Sequence, residues 1–152
     1  MANHLDQLRT MVADSPIKWM KLANIQPEII EQGHIRFRLP VKGLHLNHVN
    51  TVYAGSMFAF AELCGGALFQ ATYGFDEFVP IVKKAEIRYV KPATDDLTCE
   101  LQLSEEEAKE HIAPIRERGR GDFILSIPLL DVDGVEVAIA DINYYILSIP
   151  KE

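Results

Sequence analysis

Hydrophobic residues along this chain keep two different periods. From Asn3 to Ala13, Leu5, Leu8 and Val12 share one helical face with Met11 beside them, which predicts a short amphipathic helix. Ser15-Pro16 reads as a second helix start, with Ser at the cap, Pro at the first helical position, and Trp19, Met20 and Leu22 on the apolar side. Gly33 to Leu39 then alternates Ile35, Phe37 and Leu39 with His34, Arg36 and Arg38, the pattern of a half-buried strand. Gly43 to Val52 is polar and irregular. It leads into a segment from about Gly55 to Tyr73 that is apolar almost all round and stops at Gly74, a long helix that must be covered on nearly every side.

Beyond that helix the period drops to two. Ile81 to Val90 sets Ala85, Ile87 and Tyr89 against Lys84, Glu86 and Arg88, and Leu97 to Leu103 alternates in the same way. Phe123 to Leu130 and Val135 to Leu147 are two long strands turned around Asp133-Gly134, a hairpin dipeptide. Between the strands lies a charged helical excursion over about 104–119. Ser104 and Glu107 are spaced as a capping box, Glu105 and Lys109 as an ion pair one turn apart, and Pro114 is expected to kink or end the helix. This segment is expected to be peripheral. The order is helix, strand, long apolar helix, then four strands, which predicts an α+β fold: one curved antiparallel sheet wrapped around the long central helix, with short N-terminal helices over about 3–22. Pairing two such sheets in a dimer would cover what one chain leaves exposed.

Composition narrows the classes. A chain of 152 residues suits a single domain over 1–152 and is long enough to remove roughly 70% of its unfolded surface from water. Fifteen Lys+Arg against 22 Asp+Glu give a formal charge of −7, which argues against a nucleic-acid partner or a polybasic membrane binder. Cys64 and Cys99 form no Cys-x-x-Cys and sit in apolar stretches, as reduced buried thiols would in a cytoplasmic protein. Met-Ala-Asn-His-Leu-Asp-Gln has neither a basic start nor an apolar run, so no signal peptide is expected. The apolar segment Ala54 to Tyr73 contains Glu62, Gln70 and paired glycines, which fits a buried core helix better than a membrane span.

Glu62 is the first candidate for chemistry, because it is the only side chain between Ala54 and Tyr73 that ordinarily carries a charge. A carboxylate there is hydrogen-bonded, raised in pKa, or facing a wet cleft; the structural alternative is a carboxylate that bonds loop backbone. Two turns earlier, the free N–H groups around Ala54, Gly55 and Ser56 would make an anion-binding helix end, suited to an oxyanion.

This arrangement resembles the hotdog-fold acyl-CoA thioesterases, which carry His-Gly-Gly and, six residues later, Asp or Glu at the start of the central helix. The corresponding segment runs from Tyr53-Ala54-Gly55 to Glu62 with that spacing kept. Asn47-His48-Val49-Asn50-Thr51-Val52-Tyr53-Ala54-Gly55 is similar to the Asn-His-x-x-Thr-x-Tyr/Phe-Ala-Gly signature of a poorly characterised hotdog subgroup, and Tyr89-Val90-Lys91-Pro92-Ala93 resembles a strand-ending Tyr-x-x-Pro-Ala seen in many members. The resemblance implies a homodimer or dimer of dimers hydrolysing a small-molecule acyl thioester, with no cofactor beyond the coenzyme A of the substrate. Glu62 would activate water or attack the thioester, the Ala54 and Gly55 N–H groups would hold the oxyanion, and Asn47 would orient water or the carbonyl. Tyr53 and Ser56 would border the substrate. Tyr53 stands where the family has His, and Ala54 where it has its first Gly, so the pocket is shaped differently.

The remaining signals separate by chemistry. Lys83, Lys84, Arg88 and Lys91 are the densest basic group and would suit the phosphates of coenzyme A, with Arg116, Arg118 and Arg120 as a second option; a solvated strand face is the plainer reading of each. His45, His48, Asn47 and Asn50 are too few recognisable donors for a metal site, so none is expected. Phe58, Phe60, Leu63 and Phe69 wall a pocket or fill the core, and Gly65-Gly66 implies that a partner helix or an acyl chain packs close. Two other functions compete with hydrolysis: a non-catalytic acyl-ligand binding or regulatory protein, and a hotdog dehydratase or hydratase, which would need a His where Tyr53 stands.

Overall fold

The structure is a computed structural model and describes residues 3–151; Met1, Ala2 and Glu152, at the ends of the expected 1–152 domain, lie outside the described residues. Helix α1 (His4–Ala13) is capped by Asn3, whose side chain accepts from the Asp6 N–H, and it buries Leu8 and Val12. Helix α2 is shorter and later than the Ser15-Pro16 signal predicts, spanning Lys18–Ala23. The Ser15 hydroxyl instead accepts from the Ile17 N–H, so serine and proline form a turn ahead of the helix. Met20 is buried as expected but Leu22 is 72% exposed, because six residues ending in left-handed Asn24 cannot turn all three apolar side chains inward.

Six strands form one antiparallel sheet in the order β1-β2-β4-β5-β6-β3. They are β1 (Gln26–Glu31), β2 (His34–Leu39), β3 (Phe78–Tyr89), β4 (Leu97–Gln102), β5 (Arg120–Leu130) and β6 (Glu136–Ser148). The periodicity missed β1, since Gln-Pro-Glu-Ile-Ile-Glu alternates nothing. It is an edge strand paired only with β2, with a register shift between Pro27 and Ile29, and an edge is where a strand tolerates proline. β3 starts three residues before the predicted Ile81 and carries a bulge between Val82 and Lys84. Past that bulge Ala85 and Ile87 turn toward the core, while Lys84, Glu86 and Arg88 are exposed, as the alternation predicted; Tyr89, expected on the apolar face, is 44% exposed at the strand end.

Helix α3 (Ala54–Tyr73) runs through the middle, with Phe60, Ala61, Cys64, Phe69 and Ala71 fully buried. The sheet curls around it and supplies Phe37, Leu97, Phe123, Ile127, Ile142 and Tyr144 to the same core. This is the hotdog arrangement that the sequence pointed to. Helix α4 (Glu105–Arg118) has the predicted capping box, and Lys109 reaches Glu105 at 2.9 Å. It runs through Pro114 without ending there, and it is not merely peripheral: Ile112 and Ile115 are buried, and the Tyr73 hydroxyl donates to the Ala108 carbonyl at 2.7 Å. Its Arg116 grips Glu77 with two hydrogen bonds and holds that carboxyl below its ordinary pKa. Among the described residues, no helix is long and apolar enough to cross a membrane.

Candidate functional site

The start of α3 is clamped by backbone from the segments that carry the sequence motifs. The Val52 N–H donates to the Ala93 carbonyl at 2.7 Å, the Tyr53 N–H to the His45 carbonyl at 2.7 Å, and the Tyr89 hydroxyl to the Ala54 carbonyl at 2.9 Å. Tyr89-Val90-Lys91-Pro92-Ala93 therefore serves as a brace for the helix entry. Tyr53 occupies the cap position but makes no side-chain cap, so the first-turn N–H groups of exposed Ala54 and Gly55 keep their capacity to bind an anion. The Tyr53 ring folds back over Gly55, where a Cβ would lie 2.6 Å from ring carbon Cε1; glycine is what lets the ring lie there.

Ser56 and Asn47 are committed elsewhere. The Ser56 side chain is buried against His45, 2.9 Å from Nδ1, while the other ring nitrogen lies 3.0 Å from the Ala23 carbonyl. A carbonyl only accepts, so Nε2 carries the proton and Nδ1 receives the Ser56 hydroxyl hydrogen. The pair ties α3 to the end of α2. Asn47 knots its own loop: its Oδ1 accepts from the Val49 and Thr51 N–H groups, and its Nδ2 donates to the Thr51 hydroxyl at 2.7 Å.

Glu62 sits in a different setting. Its carboxyl is half-buried, and burial raises its pKa above the ordinary carboxylate range. It borders a cavity of about 170 Å³ between α3 and the N-terminal helices, lined on the α3 side by Glu62, Leu63, Gly66, Ala67 and Gln70 and on the other by Leu8, Val12 and Met20. The turn that carries Glu62 is held from behind by Tyr144, whose hydroxyl donates to the Glu62 carbonyl at 2.6 Å. Gly65 makes this possible, because a Cβ there would collide with that hydroxyl. The two adjacent glycines thus differ: a Cβ on Gly66 would meet nothing within 4 Å.

Within one chain these elements do not converge. Ala54 and Glu62 lie eight positions apart on one helix, about 12 Å along its axis. Neither Asn47 nor Tyr53 borders the Glu62 cavity. The basic group also divides: Lys83 lies 3.5 Å from Asp122 and over the Tyr145 ring, Lys91 is paired with Asp131 at 3.0 Å, and Lys84 lies on the outer sheet face beside Glu86 and Asp141. Arg88 projects from the same outer face of β3. Phe60 and Phe69 fill the core, whereas Leu63 lines the cavity. Sequence reasoning overlooked Gln70 and Tyr144. Gln70 was visible as a polar residue two turns beyond Glu62 in the apolar helix, one turn beyond Gly66 on the Glu62 side. Tyr144 gave no signal, since its role depends on a glycine 79 positions away.

Residues 11–146 match a family model described as a domain of unknown function, DUF4442. Among solved structures, a Pseudomonas aeruginosa protein described as of unknown function and a probable thioesterase is 32% identical, with a TM-score of 0.86 over 95% of either chain. A Shewanella oneidensis protein held to be a thioesterase is 24% identical, with a TM-score of 0.75 over 99% of this chain and 100% of its own. The Escherichia coli PaaI protein, from the phenylacetic acid degradation operon, shares the fold at 13% identity and a TM-score of 0.68, over 97% of this chain and 94% of its own. These neighbours are hotdog-fold, thioesterase-like proteins. No curated protein matches the chain.

Proposed function

The chain belongs to the DUF4442 family, and from that premise we propose that it hydrolyses acyl-CoA or a related acyl thioester, as a member of the subgroup with the Asn-His-x-x-Thr-x-Tyr/Phe-Ala-Gly signature. The observation that carries the reading is Glu62: a lone carboxyl on an otherwise apolar helix, raised in pKa by burial and opening on an apolar cavity. Such a group is a stronger base than an ordinary carboxylate and is placed to take a proton. The 32% identical relative described as a probable thioesterase supports the same chemistry.

In this reading the thioester carbonyl points at the Ala54 and Gly55 N–H groups, which stabilise the developing oxyanion. Glu62 takes a proton from the attacking water, the C–S bond breaks, and the proton passes to the leaving thiolate. In the nucleophilic version the carboxylate attacks first, and water then cleaves the mixed anhydride. Because about 12 Å of helix separates Ala54 from Glu62 in one chain, the two must meet across a boundary between copies. The working form is therefore a homodimer or dimer of dimers, with the cleft between subunits. Asn47, engaged in its own loop, shapes that cleft through the backbone; of the β3 basic group the exposed Lys84 and Arg88 are left to attract the coenzyme A phosphates, with Arg118 and Arg120 as the second option.

Thiol release from short, medium, long and aryl acyl-CoAs tests this directly. Glu62→Gln should keep the fold and lose about 10²–10⁴-fold in rate. Turnover within threefold of the parent would remove the assignment, and tight acyl-CoA binding without turnover in the parent would make the protein a non-catalytic acyl-ligand binder. Oxygen-18 in the protein after one turnover would identify the nucleophilic version.

A further inference from the structure

Three positions one turn apart on α3, Glu62, Gly66 and Gln70, form a single stripe facing the cavity under α1 and α2. Their characters differ in a useful order. Glu62 is the reactive carboxyl of the proposed function. Gly66 leaves open space where any other residue would project a side chain into the cavity. Gln70 borders the far end of the cavity, and its amide oxygen, Oε1, has no hydrogen-bond partner and is tucked out of reach of a water molecule, so a turn of the amide about its last bond is what would present it to the cavity. A buried acceptor left unpaired is costly, so a donor in the cavity that drew this oxygen out would be held. The opposing wall is apolar and adaptable, with Met11 and Met20 from the N-terminal helices and Phe75 beyond them. At about 170 Å³ the cavity exceeds the roughly 150 Å³ engineered cavity that admits a benzene ring.

We propose that this cavity is the acyl subsite, and that it selects a medium-length acyl group bearing a hydrogen-bond donor, such as a hydroxyl, at its far end. Gly66 sets the free width alongside the chain, and Gln70 reads the distal donor. The proposal rests on the thioesterase reading for the position of the carbonyl at Glu62. From there to Gln70 the helix advances about 12 Å, a span for a medium-length chain rather than an acetyl group or a long fatty acyl group. The two residues are specificity determinants; neither touches the reacting carbonyl.

The experiment compares acetyl-, octanoyl-, ω-hydroxyoctanoyl- and palmitoyl-CoA as substrates of the parent, Gln70→Leu, Gly66→Leu and Gly66→Ala. A non-hydrolysable thioether analogue of ω-hydroxyoctanoyl-CoA is titrated into each protein by calorimetry. The parent should prefer ω-hydroxyoctanoyl-CoA. Gln70→Leu should lower kcat/KM for it by about tenfold while leaving octanoyl-CoA within about twofold, because only the hydroxylated chain loses a partner. Gly66→Leu should lower octanoyl-CoA relative to acetyl-CoA by about tenfold or more. Gly66→Ala, which adds one methyl in open space and should fold, should shift the same ratio in the same direction by less. An unchanged acyl preference in folded Gln70→Leu and Gly66→Ala, with turnover intact, would overturn the subsite. A parent with no turnover on any thioester would defeat the hydrolase reading alone. Calorimetry then decides the subsite: binding of the thioether that weakens about tenfold in Gln70→Leu supports it, and binding indifferent to Gln70 and Gly66, or absent, overturns it.

Discussion

On its sheet side, α3 is packed to contact: Gly65 lies against the Tyr144 hydroxyl and the Ile127 side chain, and a single added methyl would collide with both. On the side of the N-terminal helices, one residue later, Gly66 faces open space beside a half-buried carboxyl and an unpaired amide oxygen. The same residue type, at neighbouring positions of one helix, thus serves opposite ends. The first glycine permits a close approach that fixes the helix to the sheet. The second keeps volume free at a cost in helix propensity of about 1 kcal/mol. Stability is concentrated on one side of α3, and the room for chemistry on the other.

The contrast yields graded predictions. The largest expected effect is Gly65→Ala, which overpacks a closed contact and should destabilise by about 1–3 kcal/mol in chemical denaturation, even though alanine is the better helix former. Tyr144→Phe removes one buried hydrogen bond and should cost about 1 kcal/mol. In the Gly65→Ala background, however, it should recover part of the loss, because the hydroxyl is what the new methyl meets first. Gly66→Ala should go the other way and stabilise by up to about 1 kcal/mol, visible as a raised Tm. If both glycine variants moved stability in the same direction, the distinction between the two sides would fail.

The smallest effect is Glu62→Gln on stability. Burial raises the Glu62 pKa in the folded chain, so the folded state binds that proton more tightly than the unfolded state does. Its protonated form is therefore favourable below the unfolded carboxylate range, and this advantage is lost as pH rises through the folded pKa. Glu62→Gln should accordingly be more stable than the parent at neutral pH, with the gap closing as the solution is acidified. Tm measured on both proteins from acid to neutral pH checks the sign.

Most of the fold was legible because the core writes itself into periodicity. The apolar helix, the alternation of Ala85 and Ile87, and the Asp133-Gly134 turn each reflect a face that must be buried. What escaped were elements whose reason lies outside their own segment. β1 has a proline and two glutamates in six residues, and it is a strand only because β2 offers it an edge. Pro114 lies within a helix that packs Ile112 and Ile115 against the core, and that packing outweighs the local penalty. At the site, Glu62 stood out as a charge where none should be. Asn47 and Ser56 looked equally suited to chemistry in sequence, but local hydrogen bonds claimed both. Gln70 acquires meaning only once α1 and α2 fold over it.

The junction between β4 and β5 is made by one residue pair, Thr98 with Leu130, whereas β5 and β6 are laddered over nearly their whole length. The sheet is in effect two plates of three strands joined at a narrow seam, and α4, which links the plates in sequence, packs on the β5–β6 side. A seam with so few interstrand bonds is where small-scale opening begins, in units smaller than the whole chain. Amide protons along β4 should then exchange with solvent through this partial opening, while those shared by β5 and β6 wait for global unfolding. The cavity beside Glu62 lies away from the seam, against α1 and α2, so the molecule can breathe along β4 without disturbing the stripe from Glu62 to Gln70.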